Sequence, residues 1–337
     1  MANAMSLTGR RCKSQVENMR ATICIPCFSE LIIFGILLFN CSYFAAGATI
    51  ANEIKTDGAS IIRGAYIART SNCISCHTNI KDRGPLLGGG RPIRTTFGTF
   101  FSPNITPDPI NGIGRWTLEN FRNALTQGVS PQGEHYYPVF PYTSFSAMST
   151  LDLEDLWRFL GSVQPVEMIN RKHEITFPFS LPLAPRLWKK LFFKFKPFQI
   201  DPEKSLAWNR GIYLVETLGH CQECHTPRNF MGALSKKYAY SGAKHPTEDG
   251  YIPNITPDLI SGIGDWDEED ISWFLETGFL PNGDVISGVM AEIVETATSQ
   301  LTKNDRAAIA TFLKSLIPIQ NPSLDRAADP DKIEDNW

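Results

Sequence analysis

Apolar and polar residues follow a helical spacing in four stretches of the chain, and these stretches form two pairs. One pair directly follows Trp116 and Trp266, with the sequences TLENFRNALTQG and DEEDISWFLETG. Both stretches end at glycine, which is a helix-stop signal. The other pair is LDLEDLWRFLGSV and LTKNDRAAIATFLKSL, for which Asp152 and Thr302 are the predicted N-caps. The pattern predicts four amphipathic helices, two in each half of the chain.

The same order of motifs occurs twice along the chain. RGAYIAR at 63–69 matches RGIYLVE at 210–216, and SPNITPDPINGIGRW matches IPNITPDLISGIGDW. Repetition of several motifs in one order indicates two equivalent units, so we predict an all-α fold with two tandem domains. Gly64 and Gly211 are poor helix formers and predict a close helix crossing in each unit. A glycine at a helix N-terminus is the alternative.

The repeats, and the composition between them, divide the chain into five predicted segments. They are an N-terminal segment at 1–48, a first domain at 55–163, a connector at 164–205, a second domain at 206–318 and a polar tail at 319–337. The connector contains FPFSLPLAPRLWKKLFFKFKPF, which is apolar, basic and broken by proline. We interpret it as a strap along both domains, with a membrane-surface or partner-docking element as the alternative.

The N-terminal segment has the pattern of a targeting sequence. Basic residues precede the apolar run LIIFGILLFNCSYFAAGA at 31–48, which ends in a small-x-small cleavage pattern. We expect a cleaved signal peptide, with a retained inner-membrane anchor or a buried core helix as alternatives. A signal peptide or an anchor would send the rest of the chain across the membrane. The sequence therefore predicts export to a bacterial periplasm.

Length, composition and charge narrow the class of protein. The chain has 337 residues, of which 42% are hydrophobic, and this fits globular domains better than a polytopic membrane protein. Its formal net charge of −3 argues against a nucleic-acid binder, which usually carries a basic stripe.

Two copies of the pattern Cys-x-x-Cys-His contain all the cysteines that follow the N-terminal segment. They are Cys73, Cys76 and His77 in the first unit and Cys221, Cys224 and His225 in the second. A zinc site needs a second ligand pair at its own spacing, and a thioredoxin-like pair does not need the histidine. The pattern is the attachment signature of c-type haem. Each thiol bonds a vinyl group of the porphyrin, and the imidazole becomes the proximal iron ligand. We predict two covalently bound haem c groups.

The residue opposite each histidine decides whether the iron only transfers electrons or also binds ligands. Elimination among the methionines that follow the N-terminal segment leaves Met148 as the candidate iron ligand opposite His77 and Met290 as the candidate opposite His225. Each lies between the middle and closing helices of its half, where a loop could cover the open face. In the repeat, however, Met290 aligns with Phe140. His135 or a five-coordinate iron therefore stays open as an alternative for the first haem.

Other residues near the signatures are candidates for contacts with the haem or its ligands. A backbone carbonyl at Gly84 or Pro85, shortly after His77, is predicted to accept the imidazole Nδ1–H. The repeated polar motif is predicted either to hydrogen-bond the haem propionates or only to stabilise a turn. Its members are Asn104, Thr106 and Trp116 in the first unit and Asn254, Thr256 and Trp266 in the second.

These motifs resemble the cytochrome c subunit of membrane-bound quinoprotein alcohol dehydrogenases and its relatives. The resemblance covers residues 60–317 and includes CISCH, YPVFPYTSF, DPEKS…WNRG and GHCQECHTPRN. It implies two helical class I cytochrome c domains, docked in the periplasm to the catalytic subunit of a dehydrogenase. Electrons would pass toward quinone, a soluble cytochrome or a terminal oxidase. The alcohol dehydrogenase subunit carries three haem signatures where this chain has two, and related two-haem chains serve other oxidoreductases, including molybdenum enzymes.

The motifs together predict an electron carrier with no catalytic residues of its own. One alternative is a peroxidase-like di-haem enzyme with one labile haem ligand, and another is the two-haem subunit of a terminal oxidase. The near-symmetric repeat favours the carrier, whereas the mismatch at Phe140 keeps the enzyme alternative open. Carbon monoxide binding to the reduced protein separates carrier from enzyme, because six-coordinate haems with methionine and histidine ligands resist it.

Overall fold

A computed structural model describes residues 58–247 and 250–321, and most of its regular structure is helical. The predictions for residues 1–48 and for the end of the tail lie outside the described residues. The helices are α1 (Gly58–Thr70), α2 (Cys73–His77), α3 (Leu118–Gln127), α4 (Tyr142–Phe145), α5 (Thr150–Ser162), α6 (Ala184–Phe192), α7 (Leu206–Ile212), α8 (Gln222–His225), α9 (Glu268–Thr277), α10 (Gly288–Thr296) and α11 (Lys303–Lys314). A π-helix, Tyr213–Leu218, continues α7. Within the described ranges, no helix combines the length and apolar character that a membrane crossing requires.

Each half is built on a crossing between its first and its closing helix. α1 packs on α5, and α7 packs on α11. A Cβ atom at Gly64 would lie 2.0 Å from the backbone oxygen of Asp155. A Cβ atom at Gly211 would lie 2.0 Å from the backbone oxygen of Ala308. No side chain fits at either position, so the predicted close helix crossings are confirmed.

The ends of the middle helices follow local signals in the sequence. Thr117 and Asp267 form capping boxes at the starts of α3 and α9. Gly128 and Gly278 end these helices in the left-handed conformation, with φ of 59° and 76°. Glycine adopts this conformation at little cost, so the predicted stop signals are confirmed.

The closing helices confirm one predicted N-cap and correct the other. Thr302 caps α11, as predicted. In α5 the cap is Ser149, whose extended backbone precedes the helix and whose hydroxyl accepts a hydrogen bond from Asp152 N. Asp152 lies inside the first turn, where a carboxylate still interacts favourably with the helix dipole.

The regular structure of the described residues is mostly helical, as predicted, but it also includes two small antiparallel sheets. β1 (Pro92–Thr95), β2 (Gly98–Phe101) and β3 (Glu174–Ile175) form one antiparallel sheet, and β4 (Ala243–Lys244) pairs with β5 (Tyr251–Ile252). β3 comes from the connector and pairs with β2 through Thr99 and Glu174. Such a pairing between distant segments leaves no local pattern in the sequence.

The connector contacts both halves, as the strap interpretation predicts. Lys189 Nζ donates to Gly128 O at 2.9 Å, at the end of α3. Trp188 Nε1 donates to Met231 O at 2.9 Å in the second half. These two neighbouring side chains fix α6 to both parts of the repeat.

Buried side chains from the two halves form one continuous apolar core. Leu156 and Leu160 contribute from α5, and Leu214 and Leu218 contribute from the π-helix after α7. All four are at most 2% exposed. The described residues consequently belong to a single compact unit.

Candidate functional site

Each haem signature follows a residue with a left-handed backbone. Asn72, directly before Cys73, has φ of 56°, and His220, directly before Cys221, has φ of 40°. Asparagine and histidine adopt this conformation more readily than most residues do. The sharp turn separates each signature from the preceding helix and places its cysteines and histidine on one short helical segment. None of the four described cysteines is in a disulfide.

A proline carbonyl orients the histidine of each signature. His77 Nδ1 lies 2.7 Å from Pro103 O, and His225 Nδ1 lies 2.8 Å from Pro253 O. A carbonyl oxygen only accepts hydrogen bonds, so Nδ1 carries the proton. Nε2 is therefore the nitrogen left for a metal, and the hydrogen bond fixes the orientation of the ring.

This geometry corrects the predicted acceptor at Gly84 or Pro85. Pro85 O accepts instead from Gly88 N at 3.0 Å and stabilises a local turn. Pro103 lies 26 residues from His77 in sequence, so the fold has to bring the two together. A signal for it did exist, since Pro103 and Pro253 are the first residues of the repeated PNITPD motif.

The surrounding protein favours the neutral forms of the signature side chains. Desolvation raises the pKa of the Cys73 and Cys221 thiols to about 12. Desolvation also lowers the pKa of His77 and His225, and it outweighs the opposite effect of their proline carbonyls. Neutral imidazole is the form that binds a metal.

The asparagine of the repeated motif ties its loop to the chain that leaves the closing helix. Asn104 Oδ1 accepts from Thr106 N at 2.9 Å and from Thr106 Oγ1 at 2.7 Å. Asn104 Nδ2 donates to Val166 O at 2.7 Å, and Val166 N donates to Thr106 Oγ1 at 3.1 Å. Asn104 is only 2% exposed, and its amide is satisfied within the protein.

The second unit repeats these contacts. Asn254 Oδ1 accepts from Thr256 N and Oγ1, both at 2.8 Å, and Asn254 Nδ2 donates to Ile319 O at 2.8 Å. Ile319 N donates to Thr256 Oγ1 at 3.1 Å. For the asparagines and threonines, the structure therefore favours turn stabilisation over the propionate contact. Trp116 and Trp266 lie half-buried against the core, and their propionate role stays a prediction.

The two candidate methionines occupy different places in their halves. Met148 is buried at the end of its loop, directly before the cap residue Ser149. Met290 is half-buried in the first turn of α10. Phe140, which aligns with Met290, packs against Phe145 with ring centroids 5.9 Å apart. The covering loops thus follow different paths, and both ligand assignments stay predictions.

His135, the alternative ligand for the first haem, pairs with Val129 in a short hairpin. Desolvation lowers its pKa, and the charges of Lys189 and Arg186 act in the same direction. Lys189 of α6 donates to Gly128 O, directly before this hairpin, so the hairpin lies beside α6.

Two tyrosines form reciprocal hydrogen bonds between the halves. Tyr66 OH donates to Asp305 at 2.5 Å and accepts from Thr302 N at 3.2 Å, at the start of α11. Tyr213 OH donates to Asp152 at the start of α5. Each tyrosine belongs to the Arg-Gly-x-Tyr motif of its own half and contacts the closing helix of the other.

Further polar contacts join each signature to the opposite half. Arg91 donates to Ser75 O at 2.7 Å in the first signature and forms an ion pair with Glu292 of α10, with Nη2 and Oε2 2.9 Å apart. Thr143 Oγ1 of α4 donates to Glu223 Oε1 at 3.2 Å in the second signature. α10, which contains Met290, and α4, which precedes Met148, therefore each contact the signature of the other half.

Burial also affects the second cysteine of the second signature. Desolvation raises the pKa of the Cys224 thiol to about 11, and the charges of Glu223 and Cys76 act in the same direction.

No protein-family model matches the chain. Among known proteins, a diheme cytochrome c-type protein of Cereibacter sphaeroides is 39% identical over 286 residues, which cover 82% of this chain and 95% of that protein. The chain belongs to the family of di-haem c-type cytochromes.

This di-haem cytochrome is also similar to cytochrome subunits of dehydrogenases, as the motifs predicted. The alcohol dehydrogenase (quinone) cytochrome c subunit of Gluconacetobacter polyoxogenes is 36% identical, over 85% of this chain and 62% of that protein. The fructose dehydrogenase cytochrome subunit of Gluconobacter japonicus is 38% identical, over 76% of this chain and 52% of that protein. The chain spans about half to two thirds of the length of these two subunits.

The residues of both sites fit covalently bound haem. Each site offers two free thiols on one short turn and an imidazole whose Nε2 is left for iron. Sequence reasoning did not identify Pro103, Pro253, Arg91 or Glu292 as residues of this cytochrome's sites. Of these, the two prolines had a repeat signal, while Arg91 and Glu292 are brought together only by the fold.

Proposed function

We propose that this cytochrome carries electrons from the catalytic subunit of a dehydrogenase to a downstream acceptor in the bacterial periplasm. The observation that carries the proposal is the presence of two similarly built haem sites, joined by polar contacts between the halves, within one compact unit. The names of the relatives support a dehydrogenase as the partner. The acceptor would be quinone, a soluble cytochrome or a terminal oxidase.

The proposed roles of the residues follow from the site geometry. Cys73 and Cys76 would hold one haem c and Cys221 and Cys224 the other, in two tandem class I cytochrome c domains. When bound, each haem supplies an iron that gains and loses one electron. His77 and His225 would be the proximal ligands, and Met148 and Met290 the sixth ligands. The carbonyls of Pro103 and Pro253 keep the imidazoles in one orientation and in one tautomer.

The contacts between the halves give the electron carrier a fixed internal geometry. Tyr66, Tyr213 and the Arg91–Glu292 pair connect elements of both halves. Both halves also contribute to one shared apolar core. When both haems are bound, these contacts would hold them in one arrangement within the same unit.

Haem content and ligand binding of the purified protein test this proposal. We expect two covalent haems per chain, and one in the C221S/C224S double variant. The reduced wild-type protein should bind almost no carbon monoxide, while M148A and M290A should each bind it at one haem. Fewer than two haems per chain, or peroxide turnover at an exchangeable iron, would overturn the proposal and favour the peroxidase-like enzyme.

A further inference from the structure

The connector presents a row of large apolar side chains to solvent. The exposed members are Phe177, Leu181, Leu183, Leu187, Leu191, Phe192, Phe195 and Ile200. Leu187 is 51% exposed, Leu191 57% and Phe177 79%. Single exposed apolar residues are common on proteins, but so many within one short segment indicate a contact surface.

The opposite side of the same segment is fixed to the protein. Trp188 donates to Met231 O, and Lys189 donates to Gly128 O. Phe193 packs edge-on against Tyr142, with ring centroids 5.2 Å apart. The apolar row is consequently the outer face of an anchored helix and its flanks.

Helical spacing separates the two faces of α6. Leu183, Leu187 and Leu191 stand four residues apart and so follow one line along the helix. Lys189 stands two residues from both Leu187 and Leu191 and so lies on the opposite side of the axis, where it contacts the protein. Trp188 lies at the edge between the two faces, and its ring nitrogen also contacts the protein. One face therefore binds the protein, and the leucine line points away from it.

Basic residues accompany the apolar row, and acidic residues are absent from it. The sequence from 175 to 200 contains Arg186, Lys189, Lys190, Lys194 and Lys196 but no aspartate or glutamate. Arg186, Lys190, Lys194 and Lys196 are exposed. This contrasts with a chain whose formal net charge is −3. The surface is thus apolar and positively charged.

We propose that this connector surface lies in the interface of an anionic lipid bilayer. The leucines and phenylalanines would enter the boundary between head groups and acyl chains, and the lysines would reach lipid phosphates with their long side chains. Lysine is depleted at the centre of protein–protein interfaces, where aromatic residues and arginine are favoured. Three exposed lysines beside leucines therefore fit a lipid surface better than a protein partner. This inference does not depend on the proposed electron transfer.

Hydrogen exchange on the full-length, haem-loaded protein tests the proposal locally. The probes are vesicles of phosphatidylcholine alone and vesicles that also contain phosphatidylglycerol. We expect amide protection of residues 181–196 with the anionic vesicles only. Amide protection is measured only for residues 181–196. Attachment of the protein to vesicles through another part of the chain would therefore not protect these amides.

Charge and apolar variants with matched controls complete the test. K190E/K194E should weaken vesicle binding of the segment by about thirtyfold or more, since each basic residue near an anionic surface contributes roughly a factor of five. L187E/L191E should also abolish the protection. The controls K236E/K237E and L259E/I260E alter exposed residues elsewhere and should leave it unchanged. All variants should retain two haems.

Two outcomes would overturn the proposal. One is protection that is unchanged in both connector variants. The other is protection of 181–196 by a purified acidic protein partner but not by anionic vesicles, which would assign the surface to a protein contact.

Discussion

Pro103 and Pro253 show how single residues build the candidate haem centres through backbone atoms. Each supplies a carbonyl oxygen to the histidine of its signature, while the next residue, Asn104 or Asn254, anchors the same loop to the exit of the closing helix. The repeat marked this motif as important, but it did not reveal which atoms act. Backbone acceptors have no residue-type signature, so sequence reasoning placed the acceptor at the wrong proline.

Asp155 provides a residue-scale prediction about pH. Its side chain is 1% exposed, and it accepts hydrogen bonds from Arg63 Nε at 2.5 Å and from Ser60. The hydrogen bond from Arg63 lowers the pKa of Asp155, and Ser60 adds to this effect against the cost of burial. We expect D155N to reduce the free energy of unfolding at pH 7 by about 2–3 kcal/mol.

The sign of the pH dependence follows from the lowered pKa. The ionised carboxylate stabilises the folded state above its unfolded pKa of about 3.9, and this stabilisation is lost as pH falls through the folded pKa. The difference between wild type and D155N should therefore shrink from about pH 5 downward in denaturant titrations. E167Q, at an exposed position, should match wild type throughout. A D155N deficit that persists unchanged at pH 2 would contradict the assignment.

At the scale of elements, helices were predicted well and strands were not. Four helices were predicted, namely those after Trp116 and Trp266 and the two closing helices. Their apolar spacing and most of their capping residues lie within or next to each helix, where sequence patterns can show them. The short strands depend on pairing between distant segments, such as Thr99 with Glu174. The covering loops also depend on packing, which explains why Met148 and Met290 lie at different places in equivalent halves.

The helix crossings give an element-scale prediction. G64A and G211A would force a Cβ atom against a backbone oxygen 2.0 Å away. Overpacking of this kind typically costs about 1–3 kcal/mol, so each variant should have a clearly lower thermal midpoint. Gly161, in α5, has open space around its Cβ position, and G161A should be as stable as wild type or slightly more stable. Equal midpoints for all three variants would show that the crossings are looser than described.

At the scale of the whole molecule, reciprocal contacts turn a tandem repeat into one unit. Tyr66 and Tyr213 each contact the closing helix of the other half, and the apolar core is continuous between them. The sequence showed both tyrosines in a repeated motif but gave no reason to connect them with the opposite half. Which surfaces of two equivalent units meet is decided by shape and charge over many residues.

The Arg91–Glu292 ion pair tests this arrangement of halves. Both side chains are 21% exposed, so the pair is largely shielded from solvent. A double-mutant cycle with R91Q and E292Q should give a coupling free energy of about 1–3 kcal/mol in denaturant unfolding. The same cycle on Arg171 and Glu174, which are 57% and 66% exposed, should give a value near zero. Similar couplings for the two pairs would argue against a close contact between the halves.

The sequence by itself predicted the covalent chemistry and showed the duplication. The two cysteines and the histidine of each signature lie within five consecutive residues, so their spacing is visible in the sequence. The repeat is visible because equivalent residues recur in the same order. The tertiary structure alone decided which carbonyl orients each histidine, how the covering loops run and which elements of the two halves meet. Those features join residues far apart in the chain, and their energies come from packing and hydrogen bonds that exist only after the chain has folded.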